Sequence, residues 1–134
     1  MWPDNATKYG AWPLSGEIDI AEIYSLYNDR AIPFIHYNAA DQTTVTNNYC
    51  VIDVTQWHTY RLDWTPTEIT ISFDDQPPCV HHMVKDKLLA SPAPFDQPFM
   101  LTLTQALGVG ANAVDQSQPM TPKTMQVDWV HVWN

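Results

Sequence analysis

Hydrophobic and polar positions alternate with a period of two along several short stretches of the chain. Glu17-Ile18-Asp19-Ile20 alternates acid with β-branched residue, and His58 to Trp64 places Tyr60, Leu62 and Trp64 on one face. Ile69, Ile71 and Phe73 alternate with Thr70, Ser72 and Asp74. A period of two marks a strand with one buried and one solvated face. β-rich runs at 34–37 and 43–52, separated by Asn38-Ala39-Ala40-Asp41, and two more at 99–105 and 124–133 extend the set. Thr65-Pro66-Thr67-Glu68 reads as a turn, since proline fits its second position, and residues 74–78 end the strand that follows. Residues 1–16, punctuated by Pro3, Gly10, Pro13 and Gly16, read as a loop, as do 106–123. The polar, proline-containing stretch 85–98 is expected to hold one helical turn near Lys85 to Leu89. Roughly seven or eight short strands of this kind predict an all-β antiparallel sandwich.

Composition narrows the function. The chain has 134 residues, room for one domain, and 45% of them are hydrophobic, enough for a packed core. Eleven prolines (Pro 11) against Gly 4 disfavour long helices. Acidic residues outnumber basic ones 15 to 6, for a formal net charge of -9. That balance argues against nucleic acid or an anionic membrane as partner, because both are held mainly by Lys and Arg. No apolar run approaches the ~20 residues needed to span a bilayer. Trp 6 and Tyr 6 suit a ligand with flat apolar faces and hydroxyl edges, such as a sugar, or equally an aromatic core. Cys50 and Cys79 could form one disulfide or stand as two buried small residues, and no spacing among Cys, His36, His58, His81, His82 and His131 suggests zinc. No metal or other cofactor is expected. The N-terminus as written carries no signal peptide.

The chemistry concentrates in one hexapeptide. Of only three glutamates, Glu17 and Glu22 flank Asp19 within six residues. In a regular strand Glu17 and Asp19 share a face, whereas Glu22, at an odd separation, points into the core beside Ile18 and Ile20. An unpaired buried carboxylate costs several kcal/mol. A β-bulge near Ile20-Ala21 resolves the conflict, because one extra residue returns Glu22 to the face of Glu17 and Asp19. An ordinary polar strand face would carry the same letters. Three carboxylates in a row, however, suit glycoside hydrolysis, in which a retaining enzyme uses one as nucleophile and one as general acid/base, ~5–5.5 Å apart. On a flat strand the two backbones would stand ~13 Å apart, so the side chains must lean inward over a concave sheet. Asp19 can orient one glutamate, and like charge pushes the pKa values apart.

Trp12-Pro13-Leu14-Ser15-Gly16-Glu17-Ile18-Asp19-Ile20-Ala21-Glu22 resembles the signature of glycoside hydrolase family 16, in the bulged form of its laminarinase-like (endo-β-1,3-glucanase) branch. His36-Tyr37, the segments 57–66 and 94–99, and the closing Met125 to Trp133 resemble further family motifs in family order. The likeness covers nearly the whole chain. It implies a concanavalin A-like jelly roll and retaining hydrolysis of β-1,3-linked, laminarin-type glucan, with a polysaccharide as partner. Position by position, it implies Glu17 as nucleophile, Asp19 as assisting acid and Glu22 as acid/base. Trp12 then walls the subsite beside the scissile bond, His36, near the catalytic strand, is expected to bind substrate with it, and His58 reads as structural. Asp128 matches an aspartate that helps hold a structural calcium in many relatives, but its usual partners precede this chain.

Two departures stand out. Where the family carries Asn followed by Gly-Gly, this chain has Leu103 to Gly110, with Gln105 as a substitute hydrogen-bonding group. The family domain is also longer, with several strands before the catalytic motif. Residues 1–134 are therefore expected to be the C-terminal portion of a catalytic domain, a jelly roll incomplete at its N-terminus, with Met1 an internal methionine or the edge of a truncated gene model. Extracellular location follows from the resemblance alone. The alternative reading is a catalytically inactive, carbohydrate-binding or truncated remnant of such an enzyme.

Overall fold

The computed structural model describes residues 1–108, 110, 113, 117 and 122–133. They form two units, Met1–Thr102 and Leu103–Asn134. The described residues contain β-strands and no α-helix, so the fold is all-β as the alternation predicts.

Seven strands lie in the first unit: β1 (Trp2–Pro3), β2 (Glu17–Glu22), β3 (Ile32–His36), β4 (Tyr60–Trp64), β5 (Glu68–Phe73), β6 (Val80–Met83) and β7 (Phe99–Met100). All pairings are antiparallel. β1 pairs with β7, β2 with β3, and β4-β5-β6 form a three-stranded sheet. The β4–β5 hairpin turns at Thr65, whose N–H donates to the Glu68 carbonyl at 2.9 Å and whose hydroxyl oxygen accepts the Glu68 N–H at 3.1 Å. Ile69, Ile71 and Phe73 turn inward from β5 and share one buried cluster with Ile18 of β2 and Ile35 of β3. Fully burying each of these side chains contributes about 1.5–3 kcal/mol. Trp64, Phe95 and Phe99 continue the cluster through edge-to-face contacts at 5.3 and 6.4 Å. Cys50 and Cys79 form a disulfide with Cα atoms 5.8 Å apart.

The structure corrects several expected elements. Residues 43–52 form only isolated bridges, Thr46 with Phe34 and Val51 with Arg30. Side chains take the place of a ladder there: the Thr46 hydroxyl donates to the Pro33 carbonyl, and Asn47 Nδ2 donates to the Cys79 carbonyl. No helical turn forms at 85–89; Asp86 bridges Ala39, and its Oδ1 accepts the N–H groups of Leu88 and Leu89 at 2.7 and 3.0 Å. β6 begins directly after the turn at Pro77-Pro78 and Cys79; Val80 and His82 face inward, His81 and Met83 outward.

The strand expected at 99–105 is only Phe99–Met100, and 124–133 carries no strand. Strands exist by pairing their backbone groups. In the second unit the Gln105 amide, at 3.0 Å from the Lys123 carbonyl and 3.2 Å from the Met125 N–H, supplies side-chain bonds where a ladder was expected. Most of the loop expected at 106–123, namely 109, 111–112, 114–116 and 118–121, lies outside the described residues.

Candidate active site

The backbone entering β2 is pinned from both sides. Ser15 is buried; its hydroxyl accepts the Tyr9 N–H and donates to the Gly10 carbonyl, both at 3.0 Å, and Gln97 Nε2 donates to the Ser15 carbonyl at 3.1 Å. Gly16 follows with φ +85°, in the left-handed region that favours glycine. A Cβ there would lie 3.0 Å from the Phe95 ring, 3.2 Å from Phe99 and 3.3 Å from Pro94. The aromatic cluster thus reaches the residue immediately before Glu17.

The bulge appears where the cost of burying Glu22 requires it. Glu17 pairs with His36 and Asp19 with Phe34, and then the register shifts so that Glu22 pairs with Ile32. Three steps on β2 oppose two on β3, which returns Glu22 to the side of Glu17 and Asp19. On β3 the alternation is clean: Pro33, Ile35 and Tyr37 are buried, while Ile32, Phe34 and His36 are half-exposed beside the acids. Ile18 faces the core and is fully buried.

Around this row the side chains form a connected polar and aromatic group. Trp12, 55% exposed, donates its Nε1–H to Glu17 Oε2 at 2.6 Å. His36 Nε2 lies 3.1 Å from Asp19 Oδ2. The Phe34 ring stacks on the His36 imidazole with centroids 4.0 Å apart and planes within 3°, and Trp12 lies against the same imidazole at 5.4 Å. Burial pushes the Glu17 carboxyl above its ordinary value; the Trp12 hydrogen bond opposes this, Asp19 adds to it, and His36 opposes it. Tyr24, two residues beyond Glu22 and half-buried like it, has its hydroxyl pushed up to about 12 by burial first and then by the Glu22 carboxylate. It therefore stays protonated and can donate to Glu22. Phe34 and Tyr24 were not singled out from sequence. For Phe34 the available signal was its spacing from His36 by two strand positions; Tyr24 lies beyond the end of β2.

The remaining expected residues are placed as follows. Both ring nitrogens of His58 are engaged, Nδ1 with Asp74 at 2.8 Å and Nε2 with the Asp53 carbonyl at 2.7 Å, which fits a structural role. Gln105 belongs to the second unit, where its amide bonds to backbone. Ligand-type atoms of Glu17, Asp19 and His36 lie within 4.8 Å of one another, a donor set able to approach a cation. Asp128 joins no such group of three among the described residues. A cavity of about 370 Å³ lined by Ala40, Asp41, Thr44, His81, Met83 and Lys85 includes none of the carboxylates of the row. Glu17, Asp19 and Glu22 are half-buried, and the indole of Trp12 beside them is exposed.

Residues 6–131 match the family model of glycosyl hydrolases family 16. A glucan endo-1,3-beta-glucosidase of Cryptopygus antarcticus is 30% identical over 99% of this chain and 54% of its own length. A beta-glucanase of Rhodothermus marinus is 32% identical over 99% of this chain and 50% of its own length. Among solved structures, a mutant of a non-specific endo-beta-1,3(4)-glucanase, co-crystallised with 1,3-beta-D-cellotriosyl-glucose, superposes with a TM-score of 0.58 at 26% identity, covering 72% of this chain and 38% of that one. The jelly roll of that structure is the architecture to which these sheets correspond. The chain belongs to glycosyl hydrolases family 16. It spans about half the length of the curated relatives it matches.

Proposed function

We propose that the chain carries the catalytic row of a retaining glycoside hydrolase acting on internal bonds of β-1,3-linked, laminarin-type glucan. The observation that carries this reading is the bulged β2, which turns Glu17, Asp19 and Glu22 to one face beside the exposed Trp12. Glu17 attacks the anomeric carbon while Glu22 gives its proton to the departing glycosidic oxygen, so the C–O bond breaks as the glycosyl ester forms. Glu22, now ionised, takes a proton from water; the water attacks the same carbon and releases Glu17, with net retention. Asp19, paired with His36, orients Glu17 between the two steps. The name of the Cryptopygus antarcticus relative supports a β-1,3-glucan substrate, and that of the Rhodothermus marinus relative supports a β-glucan without specifying the linkage.

Reducing-sugar release from laminarin, measured beside retention on a laminarin column, tests this reading. Turnover supports it, and retention without turnover assigns the chain to carbohydrate binding alone. We propose further that the protein is extracellular, where a polysaccharide is accessible; the Cys50–Cys79 disulfide supports an oxidising compartment. Detection of the protein in the reduced cytoplasm, with both thiols free, would refute that placement.

A further inference from the structure

We infer that Trp12 is a positioning residue whose indole N–H holds the nucleophile, in addition to presenting an aromatic face to the sugar. The hydrogen bond from Nε1 to Glu17 Oε2 is 2.6 Å long, short for an N–H donor. Its geometry is built rather than incidental. The loop that carries Trp12 is fastened by the Leu14 N–H to the Ala11 carbonyl and the Gly16 N–H to the Pro13 carbonyl, each at 3.0 Å. The Ser15 bonds and the Gly16 contacts tie the same loop to the aromatic cluster. On the other side, the ring lies against His36, which is itself stacked on Phe34.

Such a donor has a defined chemical effect. Glu17 is half-buried next to Asp19, and both circumstances favour its neutral form, which cannot attack, while His36 and the Met1 amino group favour the ionised form. The indole N–H stabilises the ionised form and carries no charge of its own that varies with pH. Because it occupies Oε2, the lone pairs of Oε1 are left for the anomeric carbon. On the return step the same N–H stabilises the carboxylate that departs from the glycosyl ester. Removing the donor therefore slows attack at acidic pH and slows release of the intermediate, whereas removing the aromatic face weakens substrate binding.

The role of Glu17 as nucleophile rests on the reading proposed above, but the hydrogen bond is testable without turnover. In ¹⁵N-labelled protein, the Trp12 indole resonance, assigned by sequential connectivity, should lie downfield of the other indoles. It should move through one titration step with a midpoint above the ordinary glutamate value of about 4.3. In Glu17→Gln that step should vanish. An indole signal that does not titrate, or that titrates equally in Glu17→Gln, overturns the inference. A titrating indole in a protein with no turnover on laminarin would leave the inference standing and refute the enzymatic reading instead. Where turnover is present, Trp12→Phe, which keeps a ring but no donor, should raise the acid limb of kcat by about one pH unit, a tenfold loss on that side. A change confined to KM, with the acid limb unmoved, would reduce Trp12 to a stacking face and overturn the positioning role.

Discussion

Replacing Gly16 with alanine tests how the fold aims the nucleophile. At φ +85° a residue with a Cβ costs about 1–2 kcal/mol relative to glycine. The added methyl also meets Phe95, Phe99 and Pro94 at 3.0 to 3.3 Å, and all three are ring atoms of a packed cluster rather than flexible chain ends. Overpacking of this kind typically costs about 1–3 kcal/mol. The expected total is about 2–5 kcal/mol, a drop in melting temperature on the order of 8–20 °C for a domain of this size. Gly110, at φ +59° with no described atom within 4 Å of its ideal Cβ position, supplies the control. Among the described residues nothing meets a methyl there, so Gly110→Ala is expected to cost the backbone term of about 1–2 kcal/mol. Thermal melts of both variants, with laminarin turnover measured alongside, separate contact from backbone strain. Because Gly16 precedes Glu17, a displacement of ~1 Å there should cost on the order of 100-fold in kcat. A Gly16→Ala protein that melts with the parent, or that loses no more than Gly110→Ala, would refute the claim that the aromatic cluster sets the position of Glu17.

Three further outcomes are expected. Glu17→Gln should abolish turnover of every substrate, whereas Glu22→Gln should retain a burst on aryl glycosides whose leaving group needs no proton; equal loss of burst in both would remove the role assignment. Cys50→Ser should destabilise by about 3–4 kcal/mol on the chain-entropy argument for a bridge of this span, and a denaturant midpoint unchanged from the parent would contradict it. His82 is buried between the Tyr37 hydroxyl at Nε2 and the Thr44 hydroxyl at Nδ1, and burial holds its pKa below the ordinary value, with Asp41 opposing. Its neutral form is therefore the stabilising one: its contribution is complete above about pH 6.5 and is lost as pH falls toward the lowered folded value. Urea midpoints at pH 7.5 and 5.5 should differ more in the parent than in His82→Asn, and equal differences would exonerate His82.

The site was more legible in the sequence than the fold around it. The bulge could be inferred because a single argument, the cost of burying Glu22, left one inexpensive solution. The β4–β5 hairpin was legible because Ile69, Ile71 and Phe73 alternate strictly and Thr65-Pro66 marks the turn. The strand expected at 43–52 was not, because its threonines and asparagines spend their side chains on Pro33, Cys79 and His82 instead of leaving the backbone to a neighbour. For 124–133, alternation supplied a face but no partner. The hydrogen bond from Trp12 to Glu17 was invisible in a different way: residue types announce an aromatic wall, but the direction of an indole N–H depends on how Ser15 and Gly16 set the loop. Tyr24 lay outside the recognised motif, and only the path of the chain after the bulge brings its hydroxyl under the influence of Glu22.

The central claim, that Glu17 is the nucleophile of a retaining hydrolase, is tested most directly by trapping its covalent intermediate. An activated β-laminaribioside bearing fluorine at C2 forms the glycosyl ester but releases it slowly, so peptide mass spectrometry can locate the label. The label is expected on Glu17 and should be absent from Glu17→Gln. Labelling of Glu22 instead, or laminarin turnover with no label on either glutamate, would contradict the account.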